Sequence, residues 1–500
     1  MLRDILEKDI GRKVVWNDIF GAYAVNLDAK ETEKILKGFS NKYFDVSRHD
    51  SGSRVFLNFS PNQKGLEYGL KLALQEKFDF GKEKIQVEFV SANPTGPLTL
   101  GNGRGGVYGD VLANVLKFVG NDVAKEYYVN DTGNQIKILG HSVLKDDKAE
   151  YSGDYIDELA KKVEGDNPLV VGEKSAEIIL EGIKKTVANM GISFDQWFSE
   201  NNDLRKRGKV EDIINWLKKK DLTFEKDGAL WFKAVEFGDD EDRVIIKQDG
   251  EPTYFGVDCA YHQNKFVERK FDRVINVWGA DHHGDVARVQ GFVDALGYKD
   301  KLEIILMQFV RLVKDGKATR MSKREGNFVL VDDVLKEVGK DAFRYFMLTR
   351  STDTHMDFDM ELAKEQSKKN PVYYVQYAGA RMNSILSKSN SPNQEFFDKF
   401  AFGEVFRQSS KNSDSARNLL LKLIQFPEII QDISKDYQVH HLTTYIYELA
   451  QIFTNFYENV PVLNAESEEL TKQRLSLVFA TRQILEKGLS LLGISAPKQM

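Results

Sequence analysis

Between Lys84 and Val129 the order of residue types leaves room for little besides a strand, a helix and a second strand parallel to the first. Lys84-Ile85-Gln86-Val87-Glu88-Phe89-Val90 has the β-branched and apolar content of a strand entering a core. A Pro- and Gly-rich loop follows over residues 91–98. Val107, Val111, Leu112, Val115 and Phe118 then recur at helical spacing, and Gly120 suits a helix end. Residues 122–129 read as a strand again. This strand–helix–strand unit is the element of a parallel sheet covered by helices.

Strand signals return at residues 244–247, 273–278 and 302–306, each followed by turn residues and a helical stretch, so the parallel sheet is expected to resume after an insertion. That insertion, about residues 140–220, is mostly helical and charged. Residues 1–82 alternate short pieces: 53–59 alternates like a strand, and 65–78 carries Leu66, Leu70, Leu72 and Leu74 at helical spacing. From Asp341 onward no strand is expected, and 343–348, 372–385, 417–424 and 445–457 read as helices. The expected fold class is therefore α/β. It combines a Rossmann-like parallel-sheet domain (83–369), a small α+β N-terminal domain (1–82) and an all-α C-terminal domain (370–500). A chain of 500 residues is too long for one core, which agrees with several domains.

Composition excludes other classes. No run of 18 or more apolar residues suits a membrane span, and no apolar stretch follows Met1-Leu2-Arg3-Asp4 as in a secretory signal. One cysteine, Cys259, fits a reducing, cytoplasmic setting. The net charge of −6 argues against a globally basic nucleic-acid coat, yet permits a local basic face.

Two loops have the chemistry to hold a nucleotide. In Pro94-Thr95-Gly96-Pro97-Leu98-Thr99-Leu100-Gly101-Asn102-Gly103-Arg104, glycines at a helix start let a ligand approach, and free N–H groups there favour phosphate. Gly101-x-Gly103-x-x-Gly106, with Glu126 twenty residues on, matches a dinucleotide fingerprint. However, ten residues separate Val90 from Gly101, too many for that motif. After an expected hairpin at 312–317, Thr319-Arg320-Met321-Ser322-Lys323-Arg324-Glu325-Gly326-Asn327 is a basic loop whose lysine can close over a polyphosphate.

Together these stretches resemble the class I aminoacyl-tRNA synthetases. Residues 94–102 are similar to their H-x-G-H region, and Met321-Ser322-Lys323-Arg324 to their K-M-S-K-S loop. The arginyl-tRNA synthetase family is indicated by Tyr128-Val129-Asn130-Asp131-Thr132-Gly133-Asn134-Gln135, Trp278-Gly279-Ala280-Asp281-His282-His283-Gly284, Asn370-Pro371-Val372-Tyr373-Tyr374-Val375-Gln376-Tyr377-Ala378 and the last nine residues. One departure stands out. Thr99 and Asn102 occupy the positions where the family usually has histidine, which leaves an impaired tRNA-binding paralogue as the alternative reading.

The resemblance implies activation of L-arginine with ATP, Mg²⁺ travelling with the nucleotide, and transfer to tRNA(Arg) by a monomer. Activation is expected to require bound tRNA. It implies catalytic roles for Thr99, Asn102, Ser322 and Lys323. ATP would meet Pro94, Gly96, Gly101, Gly103, His282, His283, Met321 and Lys323. Arginine would meet Ser91 and Asn93 at its α-amino and carboxylate end, with Glu88, Glu200, Tyr254, Asp258 and His282 completing the pocket. A guanidinium is best fixed by carboxylates, and the spacing of Tyr254 and Asp258 places both on one face if that segment is helical. Thr99 and Asn102 can both act as neutral donors to phosphate. A metal at His282 and His283, with Asp281, Asp285 or His262, is disfavoured: adjacent histidines diverge and no third ligand has standard spacing.

Overall fold

The computed structural model describes residues 1–314, 317–319, 329–389 and 411–500, with side chains from 317–319 and 411–413 left aside. The chain divides into two compact units, one of residues 79–365 and one of residues 1–78 with 366–500.

In the second of these, helix α1 (Leu2–Ile10), strands β1 (Val15–Asn17) and β2 (Ala22–Leu27), α2 (Ala29–Gly38), β3 (Phe44–Ser51), β4 (Arg54–Pro61) and α3 (Gln63–Ala73) follow one another. The strands form one antiparallel sheet in the order β1-β2-β4-β3. This α+β piece packs through α3 on Lys411–Asp436, a long helix of the C-terminal segment that is followed by His440–Asn459 and Glu468–Leu491. Buried Glu428 accepts from the Tyr23 hydroxyl (2.7 Å) and the Arg3 N–H (3.0 Å), and Lys487 caps the end of α3 through the carbonyls of Leu74 and Gln75.

The unit of residues 79–365 contains the parallel sheet. Its strands are β5 (Lys84–Glu88), β6 (Asp122–Val129), β7 (Gln196–Ser199), β11 (Arg273–Gly279) and β12 (Leu302–Met307), in the spatial order β7-β6-β5-β11-β12. All four pairings are parallel. Helix α4 (Leu100–Phe118) returns the chain from β5 to β6. The order reverses at β5, so a crevice opens beyond the carboxyl ends of β5 and β11, where such folds bind ligands. Helix α4 sits close on β5: a Cβ at Gly109 would lie 2.3 Å from the Phe89 ring.

The insertion is helical, with α5 (Asn134–Leu144), α6 (Asp154–Lys162), α7 (Pro168–Asn189) and α8 (Lys209–Lys219). Three strand expectations change. Edge strand β7 is too short to stand out from its surroundings. Residues 244–247 do not rejoin the parallel sheet: β10 (Arg243–Ile246) pairs antiparallel with β9 (Ala229–Phe232), which pairs with β8 (Thr223–Lys226) in a separate three-stranded sheet. Strands do not stop at Asp341 either, because β15 (Met356–Asp359) pairs in parallel with β13 (Val310–Lys314). The expected hairpin is present as β13 and β14 (Lys317–Thr319).

Candidate active site

A row of buried polar side chains forms the floor of the crevice. Glu126 on β6, Glu88 on β5 and Asn276 on β11 are neighbours across the sheet, and none is more than 6% exposed. Buried charges persist only when paired. Glu126 accepts from Arg269 (2.9 Å) and from the Tyr261 hydroxyl (2.5 Å), and Glu88 accepts from Lys265 (2.6 Å). Lys265 also donates to Asn276 Oδ1 (3.0 Å) and lies 4.0 Å over the Tyr261 ring. Because Lys265 can only donate, it turns the amide of Asn276 toward His262 Nε2 (3.0 Å). His262 therefore carries its proton on Nδ1, facing the carbonyl of Asp258 (2.8 Å). Burial holds the His262 pKa well below the ordinary value, so the ring is neutral.

Beyond β5 the chain turns through two residues with positive φ, Val90 (68°) and Ser91 (37°). A β-branched residue there is strained, and such strain is kept where a site needs it. The turn bends Ser91 back so that its hydroxyl donates to Glu88 (2.9 Å) and accepts the Tyr128 N–H (3.1 Å). The turn after β7 is held similarly: Asp131 accepts from the Ser199 hydroxyl (2.6 Å) and the Asn201 N–H (2.9 Å). This fixes buried Glu200, which accepts from Arg205 (2.7 Å) and from the Tyr128 hydroxyl (2.8 Å).

Helix α9 (Tyr254–Gln263), with the π-helical turn Asn264–Glu268 that extends it, supplies the wall. Tyr254, Asp258, Tyr261, His262 and Lys265 follow the spacing of one face. They grade from a 67% exposed tyrosine at the mouth to a fully buried lysine at the floor. Asp258 keeps some surface open to the crevice, yet burial, reinforced by Glu88, Glu200 and Asp285 and opposed by Lys265, pushes its pKa up to about 8. Among the described residues its carboxylate has no hydrogen-bond or ion-pair partner.

The start of α4 borders the same crevice. The backbone N–H of Thr99 donates to Asn102 Oδ1 (3.0 Å), and the Thr99 hydroxyl donates to the same oxygen (2.9 Å). Two donors on one oxygen fix the orientation of the amide, so the Nδ2 group of Asn102 points away, its protons without a partner among the described residues. At this helix start Gly101 is exposed, and a Cβ there would meet nothing nearer than 4.0 Å, whereas Gly103, Gly105 and Gly106 are buried. A Cβ at Gly103 would lie 2.7 Å from Phe343 of α11 (Val331–Met347). Gly103 is thus a packing glycine and does not open the backbone to a ligand, as the sequence suggested. Buried Arg104 donates to the carbonyls of Gln308 (2.8 Å), Thr354 (3.0 Å) and Ser351 (2.7 Å), tying α4 to the approach to β13.

The model of the class I arginine tRNA synthetase catalytic domain matches residues 70–163 and 154–365, and that of the DALR anticodon-binding domain matches residues 375–500. The arginine–tRNA ligase of Carboxydothermus hydrogenoformans is 43% identical over 492 residues, covering 93% of this chain and 84% of the relative. Arginine–tRNA ligase 1 of Halalkalibacterium halodurans is 41% identical, covering 94% and 88%. The chain belongs to the arginyl-tRNA synthetases. The solved Thermus thermophilus arginyl-tRNA synthetase shares the fold, with a TM-score of 0.78, 23% identity and full coverage of both chains.

For a synthetase of this family, the structure gathers most of the expected pocket. Ser91, Glu88, Glu200, Tyr254 and Asp258 all stand at the carboxyl end of the sheet or on α9, and exposed Asn93 and buried Pro94 follow in the loop leaving β5. Gly96 lies against Tyr155, whose hydroxyl donates to the Thr95 carbonyl (3.1 Å). His282 and His283 are exposed in the turn between β11 and α10 (Val286–Ala295), with His282 3.1 Å from Asp285. Among the described residues no three His, Cys, Asp or Glu side chains are placed to hold a metal ion. Met321, Ser322 and Lys323 lie outside the described residues. Sequence reasoning missed Lys265, His262 as a strut, Asn276, Tyr128 and Arg205. A signal existed for two of these: along α9 the polar positions 254, 258, 262 and 265 continue one face of an otherwise apolar helix.

Proposed function

We propose that residues 79–365 carry out both steps of an arginine–tRNA ligase. The carboxylate of L-arginine attacks the α-phosphate of ATP, pyrophosphate leaves, and the 3′-terminal ribose hydroxyl of tRNA(Arg) then displaces AMP from the acyl carbon. The observation that carries this reading is Asp258 on α9: a partly buried acid with no hydrogen-bond or ion-pair partner among the described residues, beside Glu88 and Glu200, which each have one. It suits a guanidinium, with Tyr254 over the mouth, Glu200 and Glu88 behind, and Ser91, Asn93 and His282 toward the reacting end. ATP is received by Pro94, Gly96 and the open Gly101 edge at the α4 start, by His282 and His283, and by the loop of Met321, Ser322 and Lys323. Catalysis is then positioning plus charge stabilisation, with no covalent enzyme nucleophile. Mg²⁺ enters with ATP and supplies charge neutralisation there.

No helix among the described residues is long and apolar enough to cross a membrane. We read the enzyme as a cytoplasmic monomer that binds tRNA through local basic surface. Strain at Val90 and Ser91 and a buried charge row are costly to keep, and they favour a working enzyme over the binding-only paralogue.

The test is ATP–pyrophosphate exchange and tRNA charging by the purified chain. Arginine-dependent charging is expected, with exchange negligible until tRNA(Arg) is added. tRNA affinity should fall linearly on a log–log salt scale by roughly 0.7–0.9 per phosphate contact. Full exchange without tRNA, or salt-independent binding, contradicts the tRNA part of this reading.

A further inference from the structure

The acids around Asp258 are each matched to a cation. Glu88 on β5 has Lys265 (2.6 Å), Glu200 after β7 has Arg205 (2.7 Å), and Asp285 after β11 has Arg288 (2.6 Å). Among the described residues, the titratable groups that act on Asp258 or feel its charge are Glu88, Glu200, Asp285 and Lys265, with the Tyr128 hydroxyl on β6 and the neighbouring Cys259 thiol. The three cations are not equivalent. The Arg205 and Arg288 side chains are 29% and 27% exposed, so water screens them, whereas Lys265 is 0% exposed. Its donors go to Glu88 and Asn276 and its charge rests over Tyr261. It lies deeper on the same helical face than Asp258, out of reach of a ligand at the mouth.

We propose that Lys265 is a specificity-determining positioning residue: without touching substrate, it cancels Glu88 and leaves the pocket short by one positive charge, which arginine supplies in exchange for the proton of Asp258. This rests on the arginine reading above. The step balances simply. The guanidinium arrives already charged, the Asp258 carboxyl gives its proton to the buffer, and the resulting carboxylate pairs with the guanidinium. A neutral side chain of the same shape expels no proton, meets a neutral carboxyl and forms no charge pair.

Two measurements test it. Calorimetry of arginine binding to the unmodified enzyme, in buffers of different ionisation enthalpy, should show about one proton released per arginine at pH 7 and almost none above pH 9, because the Asp258 carboxyl is pushed up to about 8. In Lys265→Met, Asp258 faces Glu88 with no cation between them and holds its proton to higher pH. The arginine KM at pH 7 should rise at least about tenfold, the break in its pH profile should move upward, and the ATP KM should stay put. Removing both charges with Glu88→Gln and Lys265→Met should recover much of the loss, since Gln still accepts from Ser91. Arginine binding without proton release overturns the proposal. So does a Lys265→Met defect that is equal at every pH and worse in the double variant, the mark of a structural strut. If Lys265→Met does not fold, the proton count on the unmodified enzyme decides. If the unmodified enzyme binds no arginine at any pH, the arginine reading has failed instead.

Discussion

Asn102→Ala is expected to slow adenylate formation about 10²-fold while changing the KM for ATP little. The first-turn pair divides the labour unevenly. The Thr99 hydroxyl is spent on Asn102 Oδ1, together with the Thr99 N–H, so Thr99 has no side-chain proton left for phosphate. The amide Nδ2 is held outward and offers two donors at the start of a helix whose dipole already favours anions. A donor aimed at the leaving pyrophosphate gains strength as charge builds there, so its loss falls on kcat. Asn102→Asp is the sharper test. Its carboxylate accepts both Thr99 donors as before and suits a helix N-terminus, but it presents an oxygen where the NH₂ stood. A loss exceeding that of Asn102→Ala is expected, with thermal stability kept. Thr99→Ser should retain nearly full rate, and Thr99→Val should lose only the part that depends on a firmly oriented amide. Equal, large losses in Thr99→Ser and Asn102→Ala would mean that the hydroxyl itself meets the nucleotide. Single-turnover adenylate formation measures all four.

Asp258→Ala should raise the KM for arginine steeply and leave that for ATP alone. Truncating one side of a desolvated, hydrogen-bonded charge pair costs about 2–5 kcal/mol, which corresponds to roughly 30-fold to beyond 1000-fold. The pH dependence gives a second signature. With its pKa pushed up to about 8, Asp258 holds a proton at neutral pH that arginine must displace. Affinity therefore rises with pH, about tenfold per unit below pH 8, and levels off above it. Asp258→Asn keeps the shape and removes the titrating group, so its arginine KM should be high and flat across that range. An unchanged slope in Asp258→Asn would place the proton elsewhere.

Much of the catalytic unit was legible because local signals and the final structure agree. A strand, a glycine-bearing loop and a helix are readable from 84 to 120, and each lies where its pattern places it. Residues 244–247 misled because three β-branched apolar residues in a row, Val244, Ile245 and Ile246, suit a parallel core strand and a short antiparallel one alike. Two of the missed strands, β7 and β15, have only four residues each, too few for a period to show. Contacts such as Tyr23 with Glu428 join residues 405 positions apart, which no local pattern encodes. In the site, Tyr254 and Asp258 could be named from their spacing and the family resemblance. Which acid is free could not: that depends on Lys265, Arg205 and Arg288 reaching Glu88, Glu200 and Asp285 in space. The same holds for Gly103, whose role is set by Phe343 of a helix more than two hundred residues later.

The central claim is that one unpaired acid makes this chain an arginine enzyme. The most direct measurement is charging of tRNA(Arg) by the unmodified protein, with arginine and its neutral isostere citrulline compared as kcat/KM. Citrulline cannot displace the proton of Asp258 and forms no charge pair with it, and forgoing a desolvated, hydrogen-bonded charge pair costs about 2–5 kcal/mol. Arginine should be charged readily and citrulline at least about 30-fold less efficiently. Comparable kcat/KM values for the two would contradict the account.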